Sequence, residues 1–201
     1  MTPLPPHGSL RRRSVLRAIG VAGARLAPGA WAALLALPRQ VAAAEADLTH
    51  FDITRDEDGV YLSFTVNFEL AKGPEDALAR AVPLFFVAEA EVFRDRWYWR
   101  DRRIAHPTRV WKIVYQPLTS SYRVTTVGGL GQTYPTREEA LLAISRATHW
   151  KIAEANQLDD GHYYVEFNYR LDVNLLPRPM QIGVAGQNDW QLMVKRTQRI
   201  Q

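Results

Sequence analysis

Arg94-Asp95-Arg96-Trp97-Tyr98-Trp99-Arg100-Asp101-Arg102-Arg103 sets three adjacent aromatics among five arginines. Guanidinium forks grip carboxylates and phosphates in pairs of hydrogen bonds, and aromatic faces stack on rings and cations. The stretch therefore offers a partner surface, with Arg96, Tyr98, Arg100, Arg102 and Arg103 as its candidate contacts. A structural role competes with that one. Over 84–92 the even positions Leu84, Phe86, Ala88, Ala90 and Val92 are apolar, whereas Trp97 and Trp99 fall on the odd register. A bulge near Phe93 would turn both tryptophans into the core and leave Tyr98 and Arg100 outside. The arginines would then pair with Asp95, Asp101 and acids of the next strand. This core reading is favoured, because large aromatics fill cores more often than they line exposed sites.

Other chemistries find less support. No Gly-x-Ser-x-Gly, Ser-x-x-Lys or cysteine nucleophile occurs, so no catalytic residue is assigned. His50, His106, His149 and His162 are scattered; His50 and Asp52 share a strand face but lack a third ligand, so no metal and no cofactor is expected. Gly128-Gly129-Leu130-Gly131 has neither dinucleotide-binding nor phosphate-loop spacing and reads as a turn. Asp56-Glu57-Asp58 lacks the twelve-residue calcium pattern and also reads as a turn. Glu89 and Glu91 share one strand face, where such acids are usually solvated or held by arginine.

The elements that must position these residues are mostly strands. Val60, Leu62, Phe64, Val66, Phe68 and Leu70 alternate with polar residues, as do Tyr163, Val165, Phe167, Tyr169 and Leu171. A period of two means a strand with one buried face. Shorter alternations occur at 111–115 and 190–195, with weaker runs at 48–55, 84–93, 120–127 and 151–157. Asp58-Gly59, Gly128-Gly129 and Asp160-Gly161 supply tight-turn chemistry between runs, which favours antiparallel neighbours. Gly73-Pro74-Glu75-Asp76 opens a short helix stopped by Pro83. Thr136-Arg137-Glu138-Glu139 is a capping box opening a second. The expected fold is mainly β (α+β), an antiparallel β-sandwich or curled sheet of about eight strands with two short helices.

Charge and composition set the boundaries. The 201 residues include no cysteine, and 47% are hydrophobic, so disulfide staples and wholesale disorder are excluded. Residues 1–44 hold six arginines and no acid, which leaves nineteen basic and twenty-one acidic groups in 45–201. That acidic remainder, without a nucleic-acid-binding signature, argues against nucleic acid as a partner. The basic Arg11-Arg12-Arg13-Ser14-Val15-Leu16-Arg17 precedes an Ala/Gly/Leu-rich run and the small residues Ala42, Ala44 and Ala46. These are the parts of an export signal, twin-arginine-like or general secretory, cleaved to leave Glu45 or Asp47 first. Arg25, Gly20, Gly23 and Pro28 interrupt the apolar run, so retention as an inner-membrane anchor is the lesser alternative. The organisation expected is 1–44 as the signal, touching the membrane only in transit, and 45–201 as a single mostly β domain.

Several segments together resemble an uncharacterised family of exported proteins of Gram-negative bacteria, domain of unknown function 4390. The resemblance rests on Val82-Pro83-Leu84-Phe85-Phe86-Val87-Ala88-Glu89, Arg96-Trp97-Tyr98-Trp99 with Asp101, and Ile104-Ala105. It continues in Leu118-Thr119, Tyr122-Arg123-Val124, Gly128-Gly129-Leu130 with Gln132, Leu171-Asp172, Leu176-Pro177, Pro179 and Gln181. It implies an exported, mostly β domain, often encoded near a membrane sensor kinase and an RNA methyltransferase, and transfers no site residues. A non-catalytic periplasmic binding or signalling-accessory module is therefore expected, with an envelope protein such as a membrane sensor kinase as partner. The alternative is a periplasmic hydrolase whose site is assembled from separate strands. An exposed Arg–aromatic ridge would favour the binder, and a concavity holding several titratable groups the enzyme.

Overall fold

The computed structural model describes residues 46–98, 100–184 and 186–201. The expected export signal and Trp99 lie outside them. Among the described residues ten strands and three helices follow in order: β1 Ala46–Asp56, β2 Gly59–Phe68, α1 Lys72–Ala79, β3 Leu84–Arg94, β4 Arg102–Ala105, β5 Thr108–Gln116, β6 Ser121–Thr126, β7 Gly131–Tyr134, α2 Arg137–Ile144, β8 Arg146–Glu154, β9 Tyr163–Leu171, α3 Arg178–Val184 and β10 Met193–Ile200.

The strands form two antiparallel sheets, one in the order β1-β2-β8 and the other β10-β9-β3-β5-β6-β7. The long alternating runs occupy the middle of each sheet, since a strand flanked on both sides needs an uninterrupted apolar face. On β3 one edge pairs with β9 throughout, while the other is shared: β5 takes Leu84 to Glu89 and β4 takes Val92 to Arg94. Ala90 N–H donates to Pro107 O (3.1 Å) where the two partners change over. The β1–β2 turn is local, with Asp56 Oδ1 accepting from Asp58 N–H (2.9 Å) and Gly59 N–H (3.0 Å).

Aromatic rings join the sheets. Phe64 of β2 lies 4.7 Å from Phe167 and 6.1 Å from Tyr169 on β9, centroid to centroid, and 6.5 Å from Trp111 on β5. Tyr169 is wholly buried, and its hydroxyl donates to Ile144 O at the end of α2 (3.2 Å). That bond satisfies a buried polar group which would otherwise cost about 1–3 kcal/mol. α1 contributes Ala77 and Leu78 to the core, and α2 contributes Ala140 and Ile144. Thr136 caps α2 by accepting from Glu139 N–H (3.2 Å), the Thr half of the expected capping box.

The fold is thus mostly β, as the alternation implied, with two strands and one helix beyond expectation. β4 and β7 are four-residue strands without an apolar stripe, and α3 is a seven-residue helix flanked by Pro177 and containing Pro179 and Gly183. Among the described residues no helix is long and apolar enough to cross a membrane, and no group of His, Cys, Asp and Glu is arranged to hold a metal.

Candidate functional site

The Arg–aromatic stretch is the connection between β3 and β4. β3 ends at Arg94 and β4 begins at Arg102, so 95–101 is a loop rather than a continued strand. A register shift does occur beside Phe93, but it lies in the pairing with β4, between Val92↔Ala105 and Phe93↔Arg103. The pairing of β3 with β9 runs unshifted from Phe86 to Arg94. The extra residue therefore belongs to β4, and nothing flips the side chains of β3. Trp97 is correspondingly not in the core: it is 88% exposed in a turn, with Tyr98 beside it at 70%. This overturns the inward placement of Trp97. The period-two argument fails there because the strand has already ended.

A set of polar contacts ties the loop to its base. Asp95 N–H donates to His162 O (2.8 Å), extending the β3–β9 ladder by one rung. Asp101 accepts twice, from Arg96 N–H at Oδ1 (3.1 Å) and from the Tyr164 hydroxyl at Oδ2 (2.8 Å). Burial, and after it the hydrogen bond to Asp101, pushes the Tyr164 phenol up to about 12. Arg94 reaches back over the 159–161 turn, donating to Asp159 Oδ2 (3.2 Å) and Asp160 O (2.6 Å). Gly161 makes room for it, since a Cβ there would stand 2.9 Å from Arg94 Nε. Phe93 stacks on Tyr164 at 5.3 Å and 16°, closing the base.

The charges divide into two groups. Arg94 is held by Asp159, and Arg103 by Glu91, which also faces His106 Nδ1 at 3.0 Å. Asp95 pairs loosely with Arg199 of β10 (3.7 Å). Among the described residues, Arg96, Arg100 and Arg102 ion-pair with no carboxylate, and all three are exposed. The expected pairing of the loop's arginines with Asp95 and Asp101 is not what forms. Those two acids bind Arg199, Tyr164 and a backbone N–H, which leaves the arginines to solvent.

Two hollows flank the loop. One, of about 550 Å³, lies between Arg94, Arg96, Trp97, Tyr98 and the Gly161–His162 backbone side. The other, of about 300 Å³, has Arg94, Arg102, Arg103, Asn156, Gln157 and Asp159 in its lining. Of the five candidate contacts, Arg96, Tyr98, Arg100, Arg102 and Arg103 all lie on this one exposed projection, Arg103 already engaged by Glu91. The sequence did not mark Asn156, Gln157 or His162, because they belong to the turn before β9. They join the loop only through the β3–β9 pairing.

A larger groove of about 620 Å³ lies between the end of β2 and the two helices α1 and α2. Its ionisable centre is Arg137, bonded to both Glu75 and Glu138. On the outer face of the large sheet, Glu89 is gripped by Arg170 through Nη1–Oε2 (2.5 Å) and Nη2–Oε1 (2.9 Å). The Arg170 hydrogen bond is the main cause that holds the Glu89 carboxyl below the usual carboxylate range, against the opposing effect of burial. Glu89 and Glu91 thus each take an arginine, as expected for acids on one strand face, and do not act as a carboxylate pair.

A family model described as a domain of unknown function (DUF4390) matches residues 43–200. No curated protein and no solved structure matches the chain.

Proposed function

We propose, for a chain that belongs to the DUF4390 family, a non-catalytic binding module of the bacterial envelope that docks through its 94–103 hairpin. The observation that carries this reading is a loop bearing exposed Trp97 and Tyr98 with three arginines free of carboxylate partners among the described residues. Trp, Tyr and Arg dominate binding hot spots, because they combine large contact area with strong directional bonds. Rings this exposed bury little surface within the fold. The proposal includes export by the arginine-rich leader and a periplasmic location. It also places the partner at the membrane, where the sensor kinase implied by the family resemblance would reside.

The hydrolase alternative requires titratable groups gathered in a concavity. The α1–α2 groove gathers Glu69, Glu75, Glu138 and Arg137, of which Glu75 and Glu138 are taken up by Arg137, and that supports the binder. The test is capture from solubilised envelope by the wild-type chain and by a folded Arg96/Arg100/Arg102→Gln variant. Components held by the first and lost by the second support docking at the hairpin. Equal capture by both overturns it.

A further inference from the structure

We infer that the 94–103 hairpin is a lipid-contact tip: Trp97 and Tyr98 seat in the interfacial layer of a bilayer, while Arg96, Arg100 and Arg102 pair with the phosphates of anionic headgroups. This rests on the binding reading above and names its partner.

Four observations point the same way. First, among the described residues the loop exposes an indole and a phenol in edge contact, ring centroids 3.7 Å apart. Such rings have an apolar body and a polar handle, which is why Trp and Tyr collect at membrane–water interfaces. Second, the charge is arranged to orient the molecule. Residues 94–103 hold five arginines and two aspartates, whereas the rest of 45–201 holds fourteen basic and nineteen acidic groups. An anionic surface therefore attracts the tip and repels the body, so approach is hairpin-first. Third, the hollow at the base of the hairpin presents Arg102, Asn156 and Gln157, polar donors suited to a phosphate or glycerol headgroup, while its one carboxylate, Asp159, is paired with Arg94. Fourth, the tip is narrow. Every described residue from Asp95 to Arg103 is exposed, and among these the aromatic ones are Trp97 and Tyr98. A stable protein interface needs roughly 800 Å² on each partner around a packed centre. Shallow insertion into a bilayer needs no such complementary surface.

The brace serves this role. Asp101 holds Arg96 N–H and the Tyr164 hydroxyl, and Arg94 holds the 159–161 turn, so the tip is ordered before it meets the surface. Ordering in advance lowers the conformational entropy lost on binding.

The chain lacks cysteine, which makes a single-cysteine reporter unambiguous. Tyr98→Cys carrying an environment-sensitive fluorophore, in the full chain, is mixed with phosphatidylglycerol–phosphatidylcholine vesicles, with pure phosphatidylcholine vesicles, or with inorganic phosphate alone. A Leu130→Cys chain labelled the same way is the control, because Leu130 is 94% exposed on a different turn. The expected result is a blue shift at position 98 on the anionic vesicles alone, with none at 130. Each interfacial arginine is worth about fivefold in partition, so Arg96/Arg100/Arg102→Gln should weaken vesicle binding on the order of 100-fold. These arginines make no ion pair among the described residues, so the variant is expected to unfold at the wild-type temperature. Should it fail to fold, the two labelled chains still decide. Equal shifts at 98 and 130, no shift on anionic vesicles, or a shift produced by phosphate alone overturns the lipid inference. Arginine-dependent capture of an envelope protein without any vesicle shift overturns lipid contact while leaving the binding reading intact. Loss of neither on arginine replacement defeats both.

Discussion

Asp101 shows how one carboxylate can order a loop without an ion pair. Its two oxygens accept from Arg96 N–H and the Tyr164 hydroxyl, so the loop is fastened to β9 by a neutral phenol and a backbone amide. Tyr164 must stay protonated to donate, and its folded value of about 12 lies above the ordinary 10.0. A raised value means the contribution is complete below pH 10.0 and is lost as pH rises through about 12. Ultraviolet difference titration of tyrosinate should therefore show, besides the wholly buried Tyr169, a late-ionising phenol that Asp101→Asn moves earlier. The value should not fall all the way, because burial is the larger cause of the shift; an unchanged titration would disconnect Asp101 from it. Trp97 gives the companion prediction. A residue 88% exposed lies outside the range of core truncations, so Trp97→Ala should change unfolding free energy by no more than about 0.5 kcal/mol. A loss of about 3 kcal/mol in urea denaturation would return that ring to the core.

At the scale of elements, legibility followed alternation and capping. β2 and β9 announce themselves through apolar residues at every second position, and α2 through Thr136 three residues before Glu139. β4 and β7 do not, because a four-residue strand at the side of a sheet needs only backbone pairing and no apolar stripe. The same reasoning explains the misplaced tryptophan. Periodicity carries side-chain direction only while the strand lasts, and β3 lasts to Arg94. The residue types of the candidate site were visible in sequence; its base, built from Tyr164 and the 159–161 turn, required the pairing of strands some seventy residues apart.

Two substitutions probe these elements. Thr136→Ala should cost about 1 kcal/mol by removing the α2 cap, measured by chemical denaturation, and Thr136→Ser should restore most of it. Glu89→Gln breaks the forked bond between β3 and β9 and should cost about 1–3 kcal/mol near neutrality. The Glu89 value is depressed below its ordinary 4.5, so this contribution is present above that value and fades as pH falls through the lower folded one. Wild type and Glu89→Gln should accordingly converge in stability in strong acid. A constant gap across the acid range would mean that the loss comes from packing.

For the molecule as a whole, the question is whether the two sheets are separate structures or halves of one. Their edges do not join in a single ladder, so cooperation must pass through side chains. Phe51 meets Phe167 and Phe68 meets Phe86 and Tyr169, but Phe64 makes the most ring contacts of the three. It is 1% exposed on β2, and its ring meets Phe167 and Tyr169 of β9, Trp111 of β5 and Trp150 of β8. Tyr169 then carries the contact to α2 through Ile144 O. Truncating Phe64 leaves a cavity bounded by both sheets, so Phe64→Ala should cost about 3–5 kcal/mol. If the core is one cooperative unit, the cost appears everywhere. Amide exchange should accelerate in β3 and β9 of the large sheet by the same factor as in β2 and β8, because all of them open only through global unfolding. If instead β2 and β8 lose protection while β3 and β9 keep it, the small sheet is a separable flap. The hairpin, rooted on β3 and β9, would then sit on the more stable part and keep its geometry. Native-state exchange on Phe64→Ala thus shows whether a core defect reaches the binding tip; slowed or unchanged exchange in all four strands would refute the central place given to this ring.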